Sequence, residues 1–199
     1  MSAETDTSET TEVIMEATYD ALCECGYADL TTRAIAERAA VSTAALHYHY
    51  DSKRDLLSAF LDHLYEEWEA EVAGAEDSSD DPAERLHALI DAVLSVEDDA
   101  DEPFQTAILE IKAQAPFDDR FRERLWRFDE RFHEAARTTV AAGVAQGIFR
   151  DVDPGAEATM LTSAISGAHL RKASLDADVA GVRGRLQAYV DERLQGESE

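Results

Sequence analysis

The chain is short of lysine. Only Lys53, Lys112 and Lys172 occur in 199 residues, against 43 acidic side chains and a formal net charge of −25. An acidic, lysine-poor surface stays solvated in concentrated salt, so the composition points to a saline cytoplasm. Net charge bears on solubility and partners rather than on fold. Cysteine is scarce too. Cys23 and Cys25 stand two apart, on different sides of a helix, which argues against a mutual disulfide. Two thiols without further ligands make no zinc site, and unpaired thiols fit a reducing compartment. Four prolines and nine glycines are too few for a turn-rich β fold. No apolar run approaches the roughly 18 residues of a membrane span. The opening MSAETDTSETTE has neither a basic region nor an apolar core. No signal peptide or membrane association is therefore expected, and the predicted location is cytoplasmic.

Hydrophobic residues make up 45% of the chain, enough for a sizeable core in one large domain or two small ones. Their spacing is helical throughout. Residues 1–8 read as a disordered acidic tail, followed by a first helix over about Thr10 to Cys25. Ile14, Ala17, Ala21 and Leu22 form its inner stripe, and Gly26 ends it. Thr31 and Thr32 are placed to cap a second helix, Arg33 to Ala39. Ser42 caps a third, Thr43 to Tyr48, with Leu46 inward. Ser52 and Asp55 fit a capping box for a fourth helix reaching about Ala73. Further helices are predicted over 83–96, 104–114, 118–146, 156–175 and 179–194, and residues 196–199 read as a second disordered tail. The fold class is all-α with about nine helices: a three-helix N-terminal unit, to about residue 52, fused to a larger bundle.

The stretch VSTAALHYHYDSKRDLL, Val41 to Leu57, raises the functional question. A metal site is one reading of His47 and His49. Helical residues two apart point about 200° from each other, so both cannot face one small ion. A catalytic pair is another, but no nucleophile elbow, phosphate loop or H-E-x-x-H accompanies it. No metal or cofactor is expected. The third reading is a surface for a polyanion. Residues 1–30 carry eight acids and no base, whereas residues 31–54 carry Arg33, Arg38, Lys53 and Arg54 against Glu37 and Asp51. The second and third helices with their short turn make a helix-turn-helix, whose second helix enters the DNA major groove. Its exposed face would carry Thr43, Ala44, His47 and Tyr48.

At this point the sequence resembles a known family. GYADLTTRAIAERAAVSTAALHYHYDSKRDLL is similar to the DNA-binding signature of the tetracycline-repressor (TetR/AcrR) transcription regulators, over about Ile14 to Leu61. FDDRFRERLWRFDERFHEAARTTVAAGVAQGIFRDVDP, with the helix after it, resembles the C-terminal domain of the betaine-operon repressors. The resemblance implies phosphate contacts from Thr31, Thr32, Arg33, Tyr48, His49 and Lys53. It implies base readers among Thr43, Ala44 and Tyr48, with His47 at the usual tyrosine position and Ser42 at the start of the same helix. Residues 9–52 would bind double-stranded operator DNA, and residues 53–195 would bind an unknown small-molecule effector and form a homodimer. Candidate effector-lining residues are Trp68, Phe104, Ile108, Trp126, Phe128 and Met160, with His169 as a polar handle. The dimer would use Ser163, Ala164, Gly167, Val182 and Leu186.

Three departures from the family pattern stand out. Ala40 occupies a position where glycine is usual, at a cost of about 1 kcal/mol if the turn needs positive φ. Thr43 replaces a frequent basic residue, and His47 replaces a tyrosine. The expected function is a ligand-released repressor of a palindromic operator. The alternative is a helical ligand-binding or adaptor protein whose helix-turn-helix does not bind DNA. An enzyme is not expected.

Overall fold

The computed structural model describes residues 2–94 and 102–194. Among them lie nine α-helices and no strand. These are α1 (Ser2–Asp29), α2 (Thr32–Arg38), α3 (Thr43–His49), α4 (Lys53–Glu76), α5 (Pro82–Val93), α6 (Glu102–Gln114), α7 (Asp119–Ala145), α8 (Pro154–Leu175) and α9 (Ala180–Tyr189), the last continued by a π-helical turn, Val190–Leu194.

The element types follow the sequence pattern; several boundaries do not. Helix α1 begins at Ser2, within the stretch read as a tail, and continues past Gly26 to Asp29. Gly26 still interrupts it, with φ 69° and ψ 176°. Helix α4 runs through Gly74 to Glu76, three residues beyond expectation. A mid-helix glycine costs about 1 kcal/mol. That cost is met by Val72 and Ala75, both buried, and by Arg131, which binds Glu69 and Glu76. Helices α5 and α8 start on Pro82 and Pro154, because proline is at home in the first turn. The preceding Asp81 and Asp153 accept amide hydrogen bonds from Ala83 (2.7 Å) and Gly155 (2.8 Å). Helix α5 stops at Val93, short of Val96; residues 95, 96 and the acidic loop to 101 lie outside the described residues, as do 196–199.

The chain divides into two compact units. The described parts of residues 1–64 and 100–125 make the first. Its core joins Ile14, Ala17, Ala21 and Leu22 of α1 to Ile35, Ala36, Leu46, Leu57, Phe60 and Leu61, with Ala107 and Ile111 of α6 and Phe121 of α7. Thr18 and Ser58 are polar but buried, and their hydroxyls donate to the carbonyls of Ile14 (2.7 Å) and Arg54 (2.8 Å). The second unit takes the described parts of residues 65–99 and 126–199. Its core holds Leu86, Leu89, Ile90, Phe132, Ala136, Val140, Leu161, Leu186 and Val190. Phe149 closes it against Gly143, where an added Cβ would stand 2.1 Å from the ring.

Candidate nucleic-acid interface

Caps set the two helices of the motif. Thr31 Oγ1 accepts the amide of Ala34 at 3.1 Å and starts α2. Ser42 Oγ accepts the amide of Ala45 at 3.0 Å and starts α3. Between them the turn is tight. Ala40 sits at φ 54°, the amide of Val41 reaches the Ala36 carbonyl at 3.0 Å, and that of Ala40 reaches Glu37 at 3.4 Å. This is the Schellman arrangement, in which the left-handed residue satisfies the last carbonyls of the helix. Val41, next in the chain, packs against the first unit's core and aims α3.

The exposed face of α3 then carries Ser42, Thr43, Ala44, His47 and Tyr48. Tyr48 is 87% exposed, whereas Leu46 and Tyr50 are buried. His47 Nδ1 lies 3.4 Å from the Tyr50 carbonyl. His49 is half-buried, its ring between Tyr48 (5.4 Å, edge-on) and Tyr50 (6.2 Å). The two histidines therefore have separate surroundings. Among the described residues, no three His, Cys, Asp or Glu side chains gather as a metal site. Burial raises the Tyr50 phenol above its ordinary value; a hydrogen bond with Thr11 opposes that shift and Asp55 adds to it.

The cations nearby are engaged within the chain. Arg33, exposed at the start of α2, gives Nε to Glu37 at 2.9 Å. Lys53 donates Nζ to the Tyr27 carbonyl and lies 4.4 Å from the centre of the Tyr27 ring. Burial lowers its ammonium, against the pull of the nearby Cys25, Asp29 and Glu110. Sequence reasoning missed Glu110 altogether. Its carboxylate on α6 accepts the Tyr27 amide at 2.6 Å, 83 residues away, and an added Cβ at Gly26 would meet it at 2.9 Å.

The effector candidates fall in both compact units. Phe104 and Ile108 pack on the first unit's core, with Phe104 ringed by Tyr19 (4.6 Å) and Phe60 (6.3 Å). Trp68 and Phe128 belong to the second unit and meet tilted at 5.2 Å, and Tyr65, absent from the sequence reading, meets Phe128 edge-on at 5.2 Å. Arg127 lies over the Tyr65 ring at 4.1 Å. Met160 packs against the second core. Trp126 is 60% exposed, because it stands about 200° round α7 from Phe128. His169 Nε2 lies 2.9 Å from the Val93 carbonyl, so it anchors the end of α5. Of the dimer candidates, Ser163 is exposed on α8 and Ala164, Gly167 and Val182 are half-buried. Leu186 is 6% exposed, inside its own chain's core.

Comparison with known proteins now decides the family. Residues 14–60 match the model of the tetR family of bacterial regulatory proteins, and residues 82–196 match the C-terminal domain of BetI-type transcriptional repressors. This chain belongs to the tetR family. A TetR transcription regulator from Haloarcula marismortui is 39% identical, with a TM-score of 0.88 over 94% of this chain and all of that one. A transcriptional regulator from Saccharomonospora viridis, solved in complex with choline, shares the fold at 22% identity and a TM-score of 0.84, over 96% of this chain and all of that one. The transcriptional regulator BetI of Stenotrophomonas maltophilia is 32% identical over 81 residues, 40% of this chain and 41% of that protein.

As a tetR-family chain, it is a transcription regulator, with a repressor-type C-terminal domain. Among its described residues no helix is long and apolar enough to cross a membrane.

Proposed function

We propose that this chain is a cytoplasmic, dimeric repressor that binds a palindromic operator and releases it on taking up a small molecule. Residues 9–52 read the DNA, and residues 53–195 bind the effector and form the dimer. The observation that carries the reading is the face of α3. Five hydrogen-bonding or small side chains, Ser42, Thr43, Ala44, His47 and Tyr48, stand exposed over buried Leu46 and Tyr50. Such a face can enter the major groove and meet base edges. Thr31, Thr32, Arg33, His49 and Lys53 flank it and take the phosphates. The outer side of α8, with Ser163, Ala164 and Gly167, pairs two copies, joined by Val182 of α9.

For the effector, the second unit supplies Tyr65, Trp68 and Phe128 as an aromatic group that already receives one cation, Arg127. Aromatic faces attract quaternary ammonium groups. The choline in the Saccharomonospora viridis structure supports that class of effector.

The test is a mobility shift with the DNA upstream of the chain's own coding sequence, in concentrated potassium chloride, with and without choline. Binding by the wild type, loss of binding by Tyr48→Ala and release by choline are expected. The absence of lysine and arginine from the exposed α3 face favours a second reading, an adaptor that does not bind DNA. That reading requires no shift at any salt concentration, with Tyr48→Ala and Arg33→Ala silent in cells.

A further inference from the structure

Each of the four cations between residues 31 and 54 has a partner in its own chain. Arg33 holds Glu37 at 2.9 Å. Arg38 is ion-paired with Glu24 of α1. Arg54 lies 3.7 Å from Asp118, and Lys53 rests on the Tyr27 carbonyl. A cation that is already paired reaches a phosphate only by exchange. The gain is then the difference between two similar contacts.

Arg33 and Glu37 show the exchange most simply. They lie one turn apart on α2, with side chains 80% and 66% exposed, so the pair is open to solvent and to a competing phosphate. We propose that Glu37 is an affinity-determining residue, whose carboxylate competes with DNA phosphate for Arg33 and sets how DNA binding responds to salt. The proposal rests on the DNA-binding reading above. Salt screens an exposed ion pair as well as a phosphate contact. Rising salt therefore weakens the competitor together with the contact it opposes, and the two losses partly cancel. Binding then declines less steeply with salt than the number of phosphates alone would dictate. Glutamine at position 37 removes the charged competitor and keeps a good helix former.

The experiment titrates wild type, Glu37→Gln, Arg33→Gln and the double variant, by fluorescence anisotropy, across potassium chloride concentrations. The probes are a labelled duplex from upstream of the coding sequence and a scrambled duplex. Far-ultraviolet circular dichroism checks the helix content of each variant. Glu37→Gln should bind about two-fold more tightly at low salt, the size of the coupling in exposed i, i+4 helix pairs. Its curve should fall more steeply and meet the wild type at high salt. In the Arg33→Gln background the same change should have a clearly smaller effect. Superimposable wild-type and Glu37→Gln curves would overturn the proposal while leaving DNA binding standing. So would a gain undiminished without Arg33, because general repulsion between Glu37 and DNA would then explain it. If none of the four proteins binds either duplex, the proposal falls together with the DNA-binding reading.

Discussion

Ala40 carries the strain of the turn that aims α3. Its φ of 54° lies in the left-handed region, where a side chain meets the following carbonyl oxygen at about 1–2 kcal/mol. Nothing about the turn removes that cost, since the Schellman hydrogen bonds require this conformation. Ala40→Gly should therefore stabilise the protein by about 1 kcal/mol, less whatever glycine adds to the freedom of the unfolded chain. In a chain of this size that is a rise of about 2–4 °C in the unfolding midpoint followed by circular dichroism. An unchanged or lower midpoint would mean that Ala40 is unstrained. The family resemblance marked this position, where glycine is usual, and the turn does take a positive φ there. The sequence did not mark Gly143, whose lack of a Cβ makes room for the ring of Phe149. A contact between side chain and backbone across a turn leaves no periodic trace.

At the scale of elements, α3 is seven residues long and does not stand by its own hydrogen bonds. Ser42 fastens its start, and buried Leu46 and Tyr50 fasten its underside and end. Tyr50 ties this element to pH. Burial raises its phenol above the ordinary value of about 10, so the folded state holds the proton more firmly than the unfolded one. The stabilising contribution is complete below the unfolded value and is lost as pH rises through the folded one. Thermal unfolding of the wild type should therefore lose stability above about pH 10 more steeply than that of Tyr50→Phe. Lys53, lowered by burial, works in the opposite direction and is present in both proteins, so it cancels in the comparison. Parallel profiles would show that Tyr50 ionises as freely in the fold as outside it. The caps at Thr31, Ser42 and Ser52 were legible because each is a local bargain between a hydroxyl and an amide three residues on. The fate of α9 was not. Its stripe reads as one continuous helix, yet the winding changes at Val190, and the Leu194 carbonyl accepts the amide of Arg150 at 2.8 Å.

For the whole molecule the governing quantity is the charge of −25. Self-repulsion on that scale opposes a compact state, and counterions relieve it. Between about 0.01 and 1 M salt the screening length falls from about 30 to about 3 Å. The unfolding midpoint should rise across that range of potassium chloride, and a flat or falling midpoint would show that the acids are already balanced by local partners. Pairs such as Arg124–Asp62 (2.8 Å) and Lys172–Asp176 (2.8 Å) neutralise only some of them.

By itself the sequence determined that this chain is helical and, for every helix but α1, roughly where it begins. It also determined that a helix-turn-helix sits in the least acidic stretch, and that Leu46 turns inward while His47 and Tyr48 turn out. These are consequences of short-range sterics, caps and a 3.6-residue period, all readable along the chain. Only the tertiary structure decided which partners lie far away in sequence. It gave Lys53 and Glu110 to Tyr27, His169 to the Val93 carbonyl and Leu186 to its own core. A helical period states that a residue is buried without stating against what, so Leu186 could be read as an interface residue; Trp126 is apolar but lies off the stripe, in solvent. The sequence located the cations of the DNA-reading segment. Their engagement by Glu37, Glu24, Asp118 and Tyr27 depends on distances, and most of those distances exist only once α1, α2, α4 and the residue before α7 are brought together.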